Sequence, residues 1–439
     1  MWKMTENNMV TVVGAGLAGS EAAWQLAKRG IKVTLIDMKP NEKSPAHSQN
    51  GFGELVCSNS LKAMRIDSAS GLLKEEMRRL GSLIIEAADN SSVPAGGALA
   101  VDRDKFSEYI TKKLTEHENI TIKAQRIDDI PEGNVIIATG PLTDGKLYES
   151  IAGLVGKDAL GFYDAAAPIV RRDSINMEKA FLKSRYDRGE ADYINCPMDK
   201  EQYDAFVNAL LEAETAPVHG FEENLLFEGC MPVESMARRG FMTLAFGPLK
   251  PIGLEDPRTG KMPYAVVQLR QDDSAASVYN MVGFQTRLKF GEQKRVFSMI
   301  PGLENAVFER YGVMHRNTYI QSPGFLDEHY AVIGRENLCF AGQITGVEGY
   351  VESAGSGLVA GMDLANRLLG KKQSELTAKT MLGALAKYIS SPHHKFDPMN
   401  ANFSIIEQPA QRFRNKKDKY NAYAERSLAI IDELAGEQV

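Results

Sequence analysis

Two of the four cysteines in this 439-residue chain stand among residues that make a thiol reactive. Cys57 lies in Gly51-Phe52-Gly53-Glu54-Leu55-Val56-Cys57-Ser58-Asn59-Ser60-Leu61-Lys62, where a thiol precedes three small polar residues and a lysine with no amphipathic period. Core packing does not explain such a run. A thiolate near Lys62, or near a helix start made by Ser58 or Asn59, is stabilised relative to a free thiol of pKa ~8.5. Cys230 lies in Glu228-Gly229-Cys230-Met231-Pro232-Val233-Glu234, followed by Arg238-Arg239. Glycine and proline put this thiol at a bend, and the arginines can stabilise a thiolate or grip a phosphate. The competing reading is a core cysteine, which suits Cys339 within its apolar strand; Cys196 carries no clear signal. No CxxC pair points to zinc or to a dithiol motif, so no metal site is expected, and a reducing compartment keeps all four as thiols.

The elements that must position these thiols begin at Met9. Val10, Val12 and Val13 form an apolar run that meets Gly14-Ala15-Gly16-Leu17-Ala18-Gly19, a stretch of helical spacing follows to Lys28, and Val33, Leu35 and Ile36 lead to Asp37. The order is strand, glycine turn, helix, strand. Gly14 permits the tight turn, Gly16 lets the backbone approach a pyrophosphate, and Gly19 lets the helix close on the strand. Asp37 falls where an acid accepts from ribose hydroxyls. A second glycine-rich stretch, Phe340-Ala341-Gly342-Gln343 with Gly346 and Gly349, precedes Ser353-Ala354-Gly355-Ser356-Gly357-Leu358-Val359-Ala360-Gly361. It reads as strand, loop and helix, whose small residues either approach a ring system or pack tightly against a neighbour. FAD is long enough to need both stretches, whereas NAD usually needs one such unit. Asn134 to Gly140 reads as a buried strand ending in a glycine, and Gly140 is expected beside the cofactor, with strand-end packing as the alternative.

Length and composition allow two domains with a sizeable core. No apolar stretch reaches the ~18 residues of a membrane span, and Met1 to Val10 lacks a signal-peptide core, so a cytoplasmic protein is expected. Ser70–Leu80, Asp104–His117 and Asp199–Glu214 read as helices, and Tyr264–Arg270 alternates as a strand. From about Leu160 the βαβ rhythm stops, and it resumes near Tyr330. The expected fold is α/β: a Rossmann-type, glutathione-reductase-like FAD-binding domain (1–160 and 330–439, the latter with C-terminal helices) interrupted by an α+β insertion domain (161–329). The net charge of −6 argues against a uniformly basic nucleic-acid binder, but local patches decide such contacts. Tyr279 to Lys289 with Lys294-Arg295 interleaves bases and aromatics, as does one form of RNA-facing surface; a solvated helix face is the alternative. Arg412, Arg414, Lys416, Lys417 and Lys419, on an expected terminal helix, form a second patch open to both readings.

The segments GAGLAGSEAAWQLAKRG, GELVCSNSLK, SVPAGGALAVDRDKF, IIATGPLT, FEGCMPVESMARRG, GPLKPIGL, YNMVGFQTRLK and FAGQITGVEGYVESAGSGLVAG together resemble the folate- and FAD-dependent tRNA (uracil-5-)-methyltransferases of bacteria. The resemblance runs from about residue 9 to 370. It implies transfer of the methylene carbon of 5,10-methylenetetrahydrofolate to C5 of a T-loop uridine in tRNA, with reduced FAD as the electron donor and NAD(P)H restoring it. It makes Cys57 and Cys230 the two functional cysteines, one adding at C6 and the other assisting as acid or base. The residues do not order them; Cys230 is the first choice for the nucleophile. Gly14 to Gly19 become the FAD pyrophosphate loop, Asp37 the ribose acceptor, and Gly342, Gln343 and Gly346 neighbours of the isoalloxazine. The alternatives are a flavin-dependent oxidoreductase of a small metabolite, a non-catalytic RNA-binding flavoprotein, and the same chemistry on a ribosomal RNA uridine.

Overall fold

The structure, a computed structural model, describes residues 9–44, 46–156, 160–187, 190–217 and 231–436, with backbone alone for 160–164 and 315–316. The chain opens with β1 (Val10–Val13), α1 (Leu17–Lys28) and β2 (Val33–Asp37). The two strands are parallel, with Val10 opposite Val33 and Val13 opposite Ile36, so their C-terminal ends share the edge at which α1 begins. Next come β3 (Ser60–Ala63), α2 (Ala69–Arg79), α3 (Leu83–Asn90), β4 (Ser92–Val93), β5 (Ala98–Val101), α4 (Arg103–Thr115), β6 (Ile120–Ala124), β7 (Asn134–Ile137) and α5 (Gly145–Val155). The helices expected at 70–80 and 104–117 are α2 and α4. Ser68 caps the first through Gly71 N, and Asp102 caps the second through Asp104 N and Lys105 N; such caps contribute about 1 kcal/mol each.

The chain then runs through β8 (Leu160–Ala165), β9 (Ile169–Arg171), β10 (Phe181–Leu182), β11 (Tyr193–Met198), α6 (Lys200–Glu212), α7 (Val233–Arg238), α8 (Thr243–Phe246), β12 (Ala265–Gln271), β13 (Val278–Met281), α9 (Phe290–Phe297), β14 (Phe308–Arg310) and β15 (Met314–Tyr319). It closes with β16 (Ala331–Val332), β17 (Arg335–Phe340), α10 (Tyr350–Leu368), α11 (Met381–Ser390) and α12 (Lys416–Gly436). One six-stranded sheet has the order β16-β17-β7-β1-β2-β6, parallel except for the β16–β17 pair. A second, antiparallel throughout, has the order β10-β11-β12-β13-β9-β14. The two have separate apolar cores, and β8 pairs antiparallel with β15 where the chain passes from one sheet to the other and back. Among the described residues no helix is long and apolar enough to cross a membrane.

Three local expectations need correction. No helix starts at Ser58 or Asn59, because the Asn59 amide donates to the carbonyls of Val101 and Gln271 and holds this segment extended into β3. Tyr264 to Arg270 does not alternate in burial: all seven residues of β12 are buried, as befits the interior of a sheet covered on both faces. Tyr279 and Phe284, read as surface aromatics, belong to the second core. Two of the basic residues beside them are neutralised, Lys289 by Glu214 and Arg295 by Glu292.

Candidate active site

The two glycine-rich stretches meet because their helices pack against each other. A Cβ on Gly357 would lie 2.1 Å from Ala18 O, and one on Gly361 would lie 2.7 Å from Ala22 O. These two residues thus serve close packing of α10 on α1. The approach aligns both helix N-termini on one cavity, and neither helix carries a side-chain cap. Uncapped N-terminal amides and the positive end of the macrodipole favour an anionic group at α1, whose first turn has no acid of its own.

The cavity encloses about 360 Å³ and runs from Asp37 across the glycine turn to Cys57, Tyr350 and Asn317. Past Asp37 it continues into a cleft walled by Gln125, Arg126 and Ile127. Gly14, Gly16, Leu17, Ala18, Asp37, Gly140, Gly342 and Gln343 all line it, as expected from their positions in the motifs. Gly14, at φ +97°, approaches Ala138, whose carbonyl would lie 2.5 Å from an added Cβ. Cβ atoms at Gly16 or Gly140 would meet no protein atom within 4 Å and would project into the cavity itself. Asp37 accepts from Ala15 N at 2.6 Å and from Lys39 N at 2.8 Å, which clamps the turn to the end of β2. Ala15 and Gly19 are not lining residues: Ala15 is buried, and Gly19 sits against Gly14 O, where a Cβ would come within 1.8 Å. Gly346 is also absent from the wall, because the Phe396 ring covers it at 2.4 Å from where a Cβ would stand.

Cys57 is half-buried in the cavity wall with its Sγ 2.9 Å from Tyr350 Oη. The same oxygen accepts from Cys57 N at 2.8 Å and from Ser58 N at 3.2 Å. With both lone pairs of the phenol so engaged, its proton is directed at the sulfur. Burial first, and the charge of Cys57 second, push the Tyr350 phenol well above its ordinary range, so it remains a donor. Lys62, expected beside the thiol, directs its ammonium to Glu352 Oε1 at 2.8 Å. A cation stands behind the Cys57 loop all the same. Buried Arg270, on β12, donates to Asn59 Oδ1 at 3.0 Å and to Ser58 Oγ at 2.7 Å, and so ties the thiol-bearing segment to the second sheet. Cys230 lies outside the described residues, but Val233 N, three residues on, donates at 2.7 Å to the carbonyl of Gln285, a lining residue. Cys196 and Cys339 are buried, and burial pushes both thiols up to about 12, which fits them as packing residues.

The wall also holds unsatisfied polar atoms. Asn317 on β15 is fully buried, and among the described residues neither its amide nitrogen nor its oxygen has a hydrogen-bond partner; Glu352 Oε2 is in the same condition. Each such group costs about 1–3 kcal/mol when left unpaired, so these atoms stand open to a ligand or water in the cavity. A primary amide offers a donor beside an acceptor, the complement of the N–H/C=O edge carried by isoalloxazine, pterin and uracil rings. The glycine cradle, the uncapped α1 terminus and this amide together fit FAD. None of Tyr350, Arg270 and Asn317 was singled out from sequence. Arg270 alone left a signal, as the one charged residue of its strand.

Residues 9–372 match the family of glucose inhibited division protein A, GIDA. The chain belongs to the GIDA family. Within it, this GIDA chain is 59% identical over 425 residues, 96% of its length and 98% of the other's, to the methylenetetrahydrofolate--tRNA-(uracil-5-)-methyltransferase TrmFO of Staphylococcus aureus strain Newman. The TrmFO of strain MW2 matches equally. GidA of Aquifex aeolicus, solved in two crystal forms, superposes with a TM-score of 0.68 at 16–17% identity, covering 98% of this chain and 73–75% of that one. At that identity the likeness speaks for the flavoprotein fold.

Proposed function

We propose that this GIDA-family chain methylates C5 of a T-loop uridine in tRNA with the methylene carbon of 5,10-methylenetetrahydrofolate. The observation that carries the reading is the full-length identity to TrmFO, in a chain whose cavity joins an FAD cradle to the sulfur of Cys57. Residues 1–160 and 330–439 form the cofactor unit, and 161–329 the insertion that completes the wall. Gly14, Gly16, Leu17 and Ala18 hold the pyrophosphate, with Ala15 and Gly19 shaping the turn; Asp37 takes the ribose, and Gly140, Gly342, Gln343 and Asn317 border the ring. FAD, when bound and reduced by NAD(P)H, supplies the two electrons that bring a carbon at the formaldehyde level to a methyl group.

The protein's own task is to make C5 of uracil nucleophilic. A thiolate adds at C6, the electron pair moves to C5 and O4, and C5 attacks the one-carbon unit. Loss of the C5 proton to a base then expels the folate nitrogen still bound to that carbon and leaves an exocyclic methylene at C5; two electrons and a proton convert it to methyl, and the electron pair returning to C5–C6 expels the sulfur as thiolate. Cys57 takes one of the two thiol roles, supported by Tyr350, whose hydroxyl proton faces the sulfur and favours thiolate. Cys230 takes the other role. Nucleoside analysis of tRNA and rRNA from cells lacking the protein tests the reading: 5-methyluridine is lost from the T loop of tRNA. Its retention there refutes the proposal, and its loss from rRNA alone moves the target.

A further inference from the structure

A groove of about 550 Å³ lies beside the cavity, and the two share Lys62 and Asn400 in their walls. Its far side is the start of α12, where Lys416, Lys419, Tyr420 and Tyr423 fall on one helical face at spacings of three to four residues. Phe403 stacks on Tyr420 with ring centroids 4.4 Å apart, and both are only half-buried. Arg412 and Arg414, in the segment entering the helix, and Lys416 and Lys417, in its first turn, are exposed. Among the described residues no carboxylate stands within ion-pair distance of these four or of Lys419, although Asp67 interacts with Lys417 over a longer range. The contrast is with Lys289 and Arg295, whose charges are cancelled by glutamates. Five cations without an ion-pair partner among the described residues crowd the start of α12, where Asp418 is the one acid of the first turn, and they oppose the helix macrodipole. That arrangement is unfavourable in the isolated chain and is relieved by a polyanion.

We propose that this groove is the track for the single-stranded RNA flanking the target uridine: phosphates lie along Arg412, Arg414, Lys416, Lys417 and Lys419, and one base stacks on the Phe403–Tyr420 pair. The assignment rests on the RNA substrate argued above. Stacked aromatics beside a basic rail are how single strands are held without sequence readout. The shared wall at Lys62 and Asn400 brings such a strand to the mouth of the cavity that contains Cys57.

Tyr420→Ala, and Arg412→Ala/Arg414→Ala/Lys416→Ala/Lys417→Ala combined, are compared with the parent, all loaded with FAD, for binding of an unmodified tRNA transcript between 50 and 200 mM salt. Melting temperature and flavin absorbance confirm folding, since the altered groups are exposed or half-buried. The fourfold variant is expected to lose at least about tenfold in affinity, and the slope of log K against log salt to shrink by about 3. Tyr420→Ala loses about tenfold with the slope unchanged. In methyl transfer both raise KM for tRNA and leave kcat at saturation near the parent's. Parent-like affinity and slope in both variants overturn the groove assignment while leaving the methyltransferase reading intact, since the parent still methylates. A parent that binds no tRNA and forms no 5-methyluridine overturns both.

Discussion

Tyr350→Phe removes one oxygen and little else, and that oxygen has three neighbours. Cys57 N at 2.8 Å and Ser58 N at 3.2 Å lose their acceptor, and Cys57 Sγ loses the donor at 2.9 Å. The two N–H groups line an open cavity and can turn to water, so their loss is small. The loss at sulfur is not symmetric between its protonation states, because a hydrogen bond to a charged group contributes about 1.5–3 kcal/mol. At 1.36 kcal/mol per tenfold, the fraction of Cys57 present as thiolate at neutral pH falls about tenfold, taking the lower end because the sulfur is half-buried. Iodoacetamide alkylation of FAD-loaded protein, followed by mass spectrometry of the Cys57 peptide from pH 5 to 10, measures this directly. Cys196 and Cys339 are silent in that range, with thiols pushed up to about 12, and a Cys230→Ser background removes the remaining thiol. The expected result is a tenfold slower reaction at pH 7 and a profile displaced to higher pH. Alkylation at the parent's rate, with an unmoved profile and a correctly folded variant, refutes the role given to the phenol.

Gly357→Ala tests the helix contact. The gain in helix propensity, about 1 kcal/mol, is set against a Cβ only 2.1 Å from a backbone oxygen, and overpacking of that severity costs about 1–3 kcal/mol or more. The variant is therefore expected to melt lower and to retain less FAD; an unchanged melting temperature contradicts the packing argument. Burial lowers Lys74 from its ordinary 10.5 to about 7, so the unfolded chain binds the extra proton between those values. Stability contributed by this site is absent below about pH 7 and rises from pH 7 to 10.5, by at most about 1.4 kcal/mol per unit. The difference in stability between parent and Lys74→Met should grow in the parent's favour across that window; a flat difference in denaturant unfolding contradicts it. Cys230→Ala should keep its flavin spectrum and form no 5-methyluridine, and normal product removes Cys230 from the mechanism.

The glycine turn was legible because every demand on it is local: Gly14 needs positive φ, and Gly19 abuts Gly14 O. The second glycine-rich stretch was only half legible. Its loop residues Gly342 and Gln343 reach the cavity and Gly346 does not, because Phe396, fifty residues on, covers it. Cys57 could be picked out by its neighbours, yet the groups acting on it come from far away in the chain. Tyr350 is 293 residues distant, and Arg270 reaches the loop through Asn59, 211 residues away. No periodicity encodes such pairs; they exist only once α10 and β12 are docked. Asn317 left no trace at all, since an amide within a short strand is ordinary until its burial without partners among the described residues is seen. The misreading of Tyr279 and Phe284 has the same origin: bases and aromatics alternate in sequence both at an RNA surface and where a strand puts one face inward.

The most direct test of the central claim, that the sulfur of Cys57 acts on a uridine held in this cavity, is carbon transfer in a defined mixture. Parent and Cys57→Ala proteins, matched for bound FAD, are incubated with carbon-labelled 5,10-methylenetetrahydrofolate, NAD(P)H and unmodified tRNA, and the nucleosides are separated. The account predicts labelled 5-methyluridine from the parent and none from Cys57→Ala. Labelled product from Cys57→Ala at the parent's rate would contradict it.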